Sequence, residues 1–399
     1  MKFGGSSVAD ADCIRRVAQR VYETSQDGHG VVVVVSAMGK TTDNLVKLAF
    51  DLNPKPNDRE FDMLMSTGEQ ISVSLLAMAL QSLGAEAVSM TGPQAGIYTD
   101  SSHTKAKITR IEPDRVQAAL SKGKIVIVCG FQGLNEHRDI STLGRGGSDL
   151  TAVAMAGALN ADRCQIFTDV EGIYTTDPRI VPEARKLSEI AYDEMLELAS
   201  LGAKVLQSRS VEFASKYGVE IEVLSSFVKA PGTVVKEEVE SMEAVLVRGV
   251  ACDKNQAKVT VRAQQDVPGV VANLFRSLSE SEINVDMILQ NASSAGITDI
   301  SFTVPQNDLV NVKDILLEYE ATYDENIAKV SIVGIGMRSH TGVAYKAFQT
   351  LADSKVNIQM ISTSEIKISV VISEDQNDLA VQALHTAFGL DAGGEGGIV

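Results

Sequence analysis

The chain has 399 residues, 44% of them hydrophobic and 22% charged, and its formal net charge is −16. That length exceeds one ordinary core and calls for two or more domains, and the composition is globular rather than disordered. So acidic a chain excludes sequence-independent binding to nucleic acid and docking on an anionic membrane, since both need a cationic surface.

No apolar run reaches the length of a membrane span, and the longest, Val31 to Val35, is strand-sized. The Gly- and Ser-rich start does not read as a signal peptide. The cysteines, Cys13, Cys129, Cys164 and Cys252, form no Cys-x-x-Cys pair and have no histidines clustered with them, so no metal site is expected. Cys129 and Cys164 sit in apolar runs and read as small buried hydrophobes; a reducing, cytoplasmic compartment is the expectation.

In chain order, the first part alternates strands and helices. Ile14, Val17, Ala18 and Val21 share one helix face. Val31–Val35, Lys124–Cys129 and Cys164–Thr168 are apolar runs without polar alternation, the mark of strands buried on both faces. An Ala-rich helix is expected from Asp149 to Leu159, capped by Ser148 or Asp149. The pattern predicts a largely parallel sheet with helices on both faces, reaching to Thr233. An acidic linker, 234–247, follows the turn Ala230-Pro-Gly232.

The remainder repeats itself. Ala257-Lys-Val-Thr-Val261, Ile283-Asn-Val-Asp-Met-Ile288 and Asp299-Ile-Ser-Phe302 return as Ala328-Lys-Val-Ser-Ile332, Val356-Asn-Ile-Gln-Met-Ile361 and Lys367-Ile-Ser-Val370. Helix stripes are expected at Val271, Leu274, Phe275 and Leu278, and at Ala344, Ala347, Phe348 and Leu351. Two copies are too few for a solenoid, so two small α+β modules are predicted, 248–324 and 325–399, with the strand at 248–262 free to pair with the second.

Three segments carry chemistry. Lys2-Phe-Gly-Gly-Ser-Ser7 puts consecutive glycines where backbone N–H groups can cradle phosphate oxygens, with a helix expected near Val8 to point its positive end there and Lys2 to add a mobile charge. Alone it is also an ordinary flexible turn. Gly144-Arg-Gly-Gly-Ser-Asp149 is a second Gly-rich turn before a helix, with Arg145 able to grip a carboxylate through paired hydrogen bonds; a plain helix cap is the alternative. Thr168-Asp-Val-Glu-Gly-Ile-Tyr-Thr-Thr-Asp-Pro-Arg179 follows a strand end, where α/β sheets bind ligands, and Tyr174 can stack on a base. Three decoys fail. Gly39-Lys-Thr41 has Val34 where a P-loop needs glycine, His137-Arg-Asp139 has Gly144 where a protein-kinase loop needs asparagine, and no Gly-x-Gly-x-x-Gly follows a strand.

Together with Val35-Ser-Ala-Met-Gly39, Thr67-Gly-Glu-Gln70 and Gly130-Phe-Gln-Gly133, these segments resemble the amino acid kinase family, and within it the aspartate kinases, over essentially the whole chain. The resemblance implies the three-layer α/β fold of that family and transfer of the ATP γ-phosphate to aspartate. Lys2 and Asp149 are then catalytic. Phe3, Gly4, Gly5, Ser6, Thr168, Asp169, Tyr174, Asp177, Arg179 and Lys204 join Lys2 in holding ATP. Ser36, Thr41, Glu69, Arg145, Gly146, Gly147 and Ser148 hold aspartate, Glu69 through its amino group and Arg145 through its α-carboxylate. Mg²⁺ comes in on ATP, with no protein-bound metal.

The repeat resembles paired ACT modules, βαββαβ domains that bind free amino acids. Gly269 and Gly342 let backbone amides approach a ligand carboxylate. Asn284, Asp286 and Gln290, and Asn357 and Glu365 in the second copy, are placed for its amino group. By resemblance Asp266, Val270, Thr298, Thr341, Val343 and Ile358 complete the effector sites. Lysine, threonine or both are the implied effectors, with homo-oligomers joined through these modules and a shorter ACT-only chain as a further implied partner. The plain alternative is a dimerisation module with ordinary polar loops.

One departure stands out. Family members usually carry a short apolar strand before the Lys-Phe-Gly-Gly turn. Met1 directly precedes Lys2 here, so the expectation is either that the recorded start is late or that the sheet lacks that member. No fused homoserine dehydrogenase domain is expected after the second ACT copy. The competing readings are a kinase of the same fold acting on glutamate or a nucleoside monophosphate, and a catalytically impaired amino-acid-sensing regulator.

Overall fold

The computed structural model describes the chain except residues 202–204, 238–246, 266, 291–295, 336, 338–341 and 392–399. Two compact units emerge from its contacts. Unit 1 takes Met1–Ile173, Lys186–Ala199 and the chain from Val205 through Lys236; unit 2 takes Tyr174–Arg185, Ser200, Leu201 and the chain from Gly249.

Unit 1 runs β1 (Lys2–Phe3), α1 (Ala11–Gln26), β2 (Val32–Val35), α2 (Thr41–Leu52), α3 (Asp58–Met65), α4 (Thr67–Ser82), β3 (Ala87–Met90), β4 (Ile97–Thr99), β5 (Ile108–Ile111), α5 (Asp114–Leu120), β6 (Ile125–Cys129), β7 (Gln132–Leu134), β8 (Ile140–Thr142), α6 (Gly147–Leu159), β9 (Cys164–Thr168), β10 (Glu189–Ala191), α7 (Tyr192–Ser200), α8 (Ser208–Tyr217), β11 (Ile221–Ser225) and β12 (Thr233–Lys236). Its main sheet has the order β10-β12-β11-β9-β1-β2-β6-β3, with β12 and β10 running against the other six. A smaller sheet orders β5-β4-β7-β8. Val33 and Val35 of β2 and Ile125, Ile127 and Cys129 of β6 pack with the expected α1 stripe and with Val73, Leu76 and Leu80 of α4. The opposite helix, α6, packs on β1, β2 and β9 and is buried all round its first three turns, which its small residues permit.

Several sequence expectations need correcting. The sheet does not lack a member beside the Gly-rich turn: β1 lies between β9 and β2, and Met1 extends the pairing, its carbonyl accepting from Val34 N–H at 2.8 Å. No α-helix begins near Val8. Gly5–Val8 is a single 3₁₀ turn, and α1 starts at Ala11, where the Asp10 carboxylate accepts from Cys13 N–H at 2.8 Å. That carboxylate meets the positive helix end, leaving less of it for a ligand. Neither Ser148 nor Asp149 caps α6. Gly146, at φ +73°, is the cap, and both residues lie inside the first turn. The unit also extends past Thr233, because β12 pairs with β10 and β11 and buries Val235. Finally, α3 and α4 follow one another into a 25-residue helical run, Asp58–Ser82, long and apolar enough by composition to cross a membrane. Charged residues interrupt it in sequence, and half of its apolar window is buried inside unit 1.

Unit 2 runs β13 (Gly249–Gln265), α9 (Val270–Glu280), β14 (Ile288–Gln290), β15 (Ile297–Pro305), α10 (Leu309–Ile315), β16 (Ala321–Val333), α11 (Val343–Asp353), β17 (Met360–Thr363), β18 (Lys367–Ser373) and α12 (Asn377–Ala387). One six-stranded sheet, β14-β15-β13-β16-β18-β17, serves both repeat copies. The long strands β13 and β16 each cross from one copy to the other. Gly249–Asp253 pairs with the end of β16 at Lys329–Val333, whereas Val259–Val261 pairs with its start at Ala321–Tyr323. The first copy's core holds Leu274, Leu278, Phe302 and Val312; the second holds Ala347, Leu351, Val370 and Leu384, joined by Val181. That last residue explains why Tyr174–Arg185 divides off from the first part of the chain. The segment's apolar side chains are spent in the core of the second copy.

Candidate active site

The residues expected to do chemistry in unit 1 converge at the carboxyl ends of β1, β2, β6 and β9, where an open parallel sheet leaves room for ligands. Glycines make the convergence possible. A Cβ on Gly5 would stand 2.8 Å from Ala37 O, one on Gly68 would stand 2.9 Å from Ala37 Cβ, and one on Gly130 would stand 2.5 Å from Ser148 Oγ. The turn after β1, the turn after β2, the start of α4 and the start of α6 are thereby drawn together.

Lys2 lies at the centre of this cluster. Its Nζ is 2.6 Å from Asp149 Oδ1, with the two side chains only 11% and 13% exposed. The contact is a charge pair rather than an aligned hydrogen bond, because Oδ1 gains no well-directed donor among the described residues. A Cβ on Gly4 would lie 3.5 Å from the same Nζ, so the ammonium sits directly beneath the glycine turn. Ser6 is exposed above it. Phe3 is a core residue instead, 1% exposed and stacked on Phe167 with ring centroids 4.5 Å apart, so its side chain is not available to a nucleotide.

Glu69, 3% exposed, projects from the first turn of α4, where Ala37 N–H donates to its Oε1 at 3.2 Å. Its Oε2 is buried with no partner among the described residues. Burial pushes this carboxyl up to about 7, and the two backbone hydrogen bonds it accepts only partly oppose that. A buried, half-satisfied carboxylate is ready for an ammonium donor. Thr41 opens α2, and its Cγ2 would lie 3.6 Å from a Cβ on Gly68; Ser36 closes β2.

Arg145 is exposed, and its guanidinium contacts no carboxylate among the described residues. Gly147 and Ser148 are buried behind it. Thr168 ends β9 and donates to Asp169 Oδ1 at 3.0 Å. Tyr174, Asp177 and Arg179 belong to unit 2. There Asp177 accepts from Arg179 Nε and Nη2, at 2.6 to 3.1 Å, and the Arg179 hydrogen bonds hold its carboxyl below the ordinary range. Thr175 between them is a junction: its Oγ1 lies 2.9 Å from His385 Nε2 and accepts from Arg185 N–H at 3.0 Å. Lys204 lies outside the described residues.

In unit 2, Gly269 and Gly342 cap α9 and α11 with φ of +99° and +100°, an agreement that carries the repeat into backbone geometry. Val270 opens α9 half-buried; its counterpart Val343 is a core side chain, as is Thr298 in β15, so neither side chain can meet an effector directly. Asn284, Gln290, Asn357 and Glu365 are exposed, and Ile358 packs on the second copy's core. Asp286 is ion-paired to the buried Lys329. Asp266 and Thr341 lie outside the described residues.

Sequence reasoning missed Asp62, Gln207 and Arg209, which hold the loop before α6. They lie far from the Gly-rich motif in sequence and show no period of their own.

A model of the amino acid kinase family matches residues 1–225, and one of the ACT domain matches 262–318 and 330–388. The aspartokinase of Pseudomonas aeruginosa is 52% identical over 98% of this chain and 97% of its own length. The chain belongs to the aspartokinases of the amino acid kinase family. Two solved aspartokinase structures share its fold. Escherichia coli aspartokinase III in complex with aspartate and ADP (R-state) has TM-score 0.82 at 27% identity, covering 97% of this chain and 99% of that one. The same enzyme in complex with lysine and aspartate (T-state) has TM-score 0.78 at 28% identity, covering 96% and 98%.

Proposed function

We propose that this aspartokinase transfers the γ-phosphoryl group of ATP to the side-chain carboxylate of L-aspartate, giving 4-phospho-L-aspartate, the first step toward lysine, threonine and methionine. The observation that carries the reading is the Lys2–Asp149 pair beneath the Gly4-Gly5 turn. Phosphoryl transfer leaves little covalent work to the protein, so catalysis is positioning and charge neutralisation. Asp149 aims the Lys2 ammonium at the charge that spreads over the transferring group, while the amides after Gly4 take phosphate oxygens. Arg145 grips the acceptor's α-carboxylate as a fork, and the unpartnered Glu69 oxygen accepts its α-ammonium. Ser36, Thr41, Gly146, Gly147 and Ser148 line the acceptor side. Thr168, Asp169, Tyr174, Asp177, Arg179 and Lys204 are assigned to the nucleotide.

Mg²⁺ is assigned to arrive on the nucleotide; it would supply charge neutralisation between the phosphates. The ACT unit is the seat of feedback by lysine, threonine or both, with the first turns of α9 and α11 offering amides to a ligand carboxylate. We assign oligomer formation to the same modules. The impaired-regulator reading loses its support with β1 in place.

An aspartate-dependent ADP-release assay, with the acyl phosphate trapped by hydroxylamine, tests the function. Aspartate hydroxamate is expected; activity only with another acceptor, or none at all, would sink the reading. Lysine and threonine titrated singly and together should lower the rate.

A further inference from the structure

The loop that presents Arg145 is held by residues to which the reaction itself assigns no part. Gly144 and Gly146 have φ of +75° and +73°. A loop with two left-handed glycines is not stiff by itself, yet every carbonyl from Thr142 to Gly146 has a donor. Thr142 O accepts from Ala106 N–H, Gly144 O from Gly147 N–H and Gly146 O from Asp149 N–H, at 2.9 to 3.0 Å. The remaining two are held from the first turn of α8 and from Gln207, the residue that precedes it. Arg209 Nη1 donates to Leu143 O at 2.7 Å, while its Nη2 donates to Ala106 O at 3.0 Å. Gln207 Nε2 donates to Arg145 O at 3.1 Å.

The far side of the loop is pinned too. Asp62 is wholly buried and accepts from Thr142 N–H at 3.1 Å and Thr142 Oγ1 at 2.5 Å. The same carboxylate takes Thr104 N–H and lies 2.7 Å from His103 Nδ1.

We infer that Arg209, assisted by Gln207, is a positioning residue for the acceptor: it fixes the loop backbone so that the Arg145 guanidinium meets the α-carboxylate in register. A bidentate guanidinium–carboxylate contact is demanding in geometry, and the long Arg145 side chain amplifies any tilt of its backbone. Arg209 is well suited to the task, because its rigid planar fork presents separate donors to two carbonyls, Leu143 and Ala106, whereas a lysine offers a single ammonium on a flexible stem. The effect belongs to aspartate and not to ATP, since the braced carbonyls lie on the acceptor loop.

This inference rests on the reading that Arg145 holds the acceptor, so the experiment separates the two. Arg209→Met, Arg209→Lys, Gln207→Ala and Arg145→Ala are made in the full chain, and KM for aspartate, KM for ATP, kcat and the thermal midpoint are measured. Arg209→Met is expected to raise the aspartate KM by roughly ten- to hundredfold, the equivalent of one lost charge-assisted hydrogen bond, with the ATP KM within about twofold of wild type. Arg209→Lys should recover part of the loss, and Gln207→Ala should shift the same constant less. An unchanged aspartate KM in Arg209→Met, or both constants rising together, overturns the positioning role. Should Arg209→Met fail to fold, an unchanged aspartate KM in both Arg209→Lys and Gln207→Ala overturns it equally. If Arg145→Ala raises the aspartate KM and the Arg209 variants do not, only the positioning role falls. If Arg145→Ala leaves it unchanged, the reading of the site falls and this inference with it.

Discussion

Glu69 shows at the scale of one residue how function and stability conflict. Its carboxyl ordinarily titrates near 4.5 and is pushed up to about 7 by burial. The folded state therefore holds the proton more tightly than the unfolded chain, so the residue's contribution is fully present below 4.5 and is lost as pH rises through about 7. Glu69→Gln should accordingly raise the thermal stability of the unliganded protein at pH 8, by up to about 3 kcal/mol, and leave it near wild type at pH 4.5. Melting curves at the two pH values check this; a variant less stable than wild type at pH 8 would contradict it. The same carboxyl must be ionised to accept an ammonium, so kcat/KM for aspartate should climb as pH rises through about 7. Lys2 makes the complementary case. Removing a donor aimed at transition-state charge costs on the order of a hundred- to a thousandfold in rate, so Lys2→Ala should lose kcat on that scale with Asp149 left unpaired. A variant retaining full activity would refute its role.

Elements in this molecule are joined by glycines whose reasons differ. At Gly269 and Gly342 a Cβ would meet nothing within 4 Å among the described residues; both glycines are called for by φ near +100°. Gly146 has two reasons, because a Cβ there would stand 2.4 Å from Gln207 Cγ in addition to its positive φ. Alanine at 269 or 342 should cost about 1–2 kcal/mol, the ordinary left-handed penalty. Alanine at 146 should cost more and raise the aspartate KM besides. Chemical denaturation of the three variants, with kinetics on the third, tests the order. Element existence was largely legible in sequence: the α1 stripe and both ACT helix stripes lie where their 3.6-residue spacing puts them. Element ends were not. The start of α6 was misread because Ser148 and Asp149 are good caps in general. Here Asp149 is committed to Lys2, and a left-handed glycine supplies the turn.

For the whole chain, the two repeat modules keep separate cores and share one six-stranded sheet. Lys258 and Lys329 occupy equivalent strand positions, and each reaches into the loop of the other copy, to Gln359 at 2.5 Å and to Asp286. One link is neutral at its acceptor and the other is a partly buried ion pair. Asp286→Asn strands the charge of Lys329, which is 3% exposed, and should destabilise unit 2 by about 1–3 kcal/mol, more than Gln359→Ala. Thermal melts of both variants decide it, and equal losses would count against the ion pair. Effector recognition by Asp286 would have to draw its carboxylate away from Lys329, a cost invisible in sequence. The segment carrying Tyr174, Asp177 and Arg179 is likewise anchored by Val181 and by the Thr175–His385 contact inside unit 2.

The sequence by itself determined the family, the two-part plan and the repeat, and it nominated the charged candidates for the site, because ordered motifs and hydrophobic periods are local properties of a chain. Tertiary structure alone decided which of them meet. It paired Lys2 with Asp149, left one Glu69 oxygen without a partner among the described residues, and turned Phe3 and Val343 into core. It also brought Asp62, Gln207 and Arg209 to the Arg145 loop from distant positions. Those outcomes depend on burial and on contacts between distant segments, which no local pattern encodes.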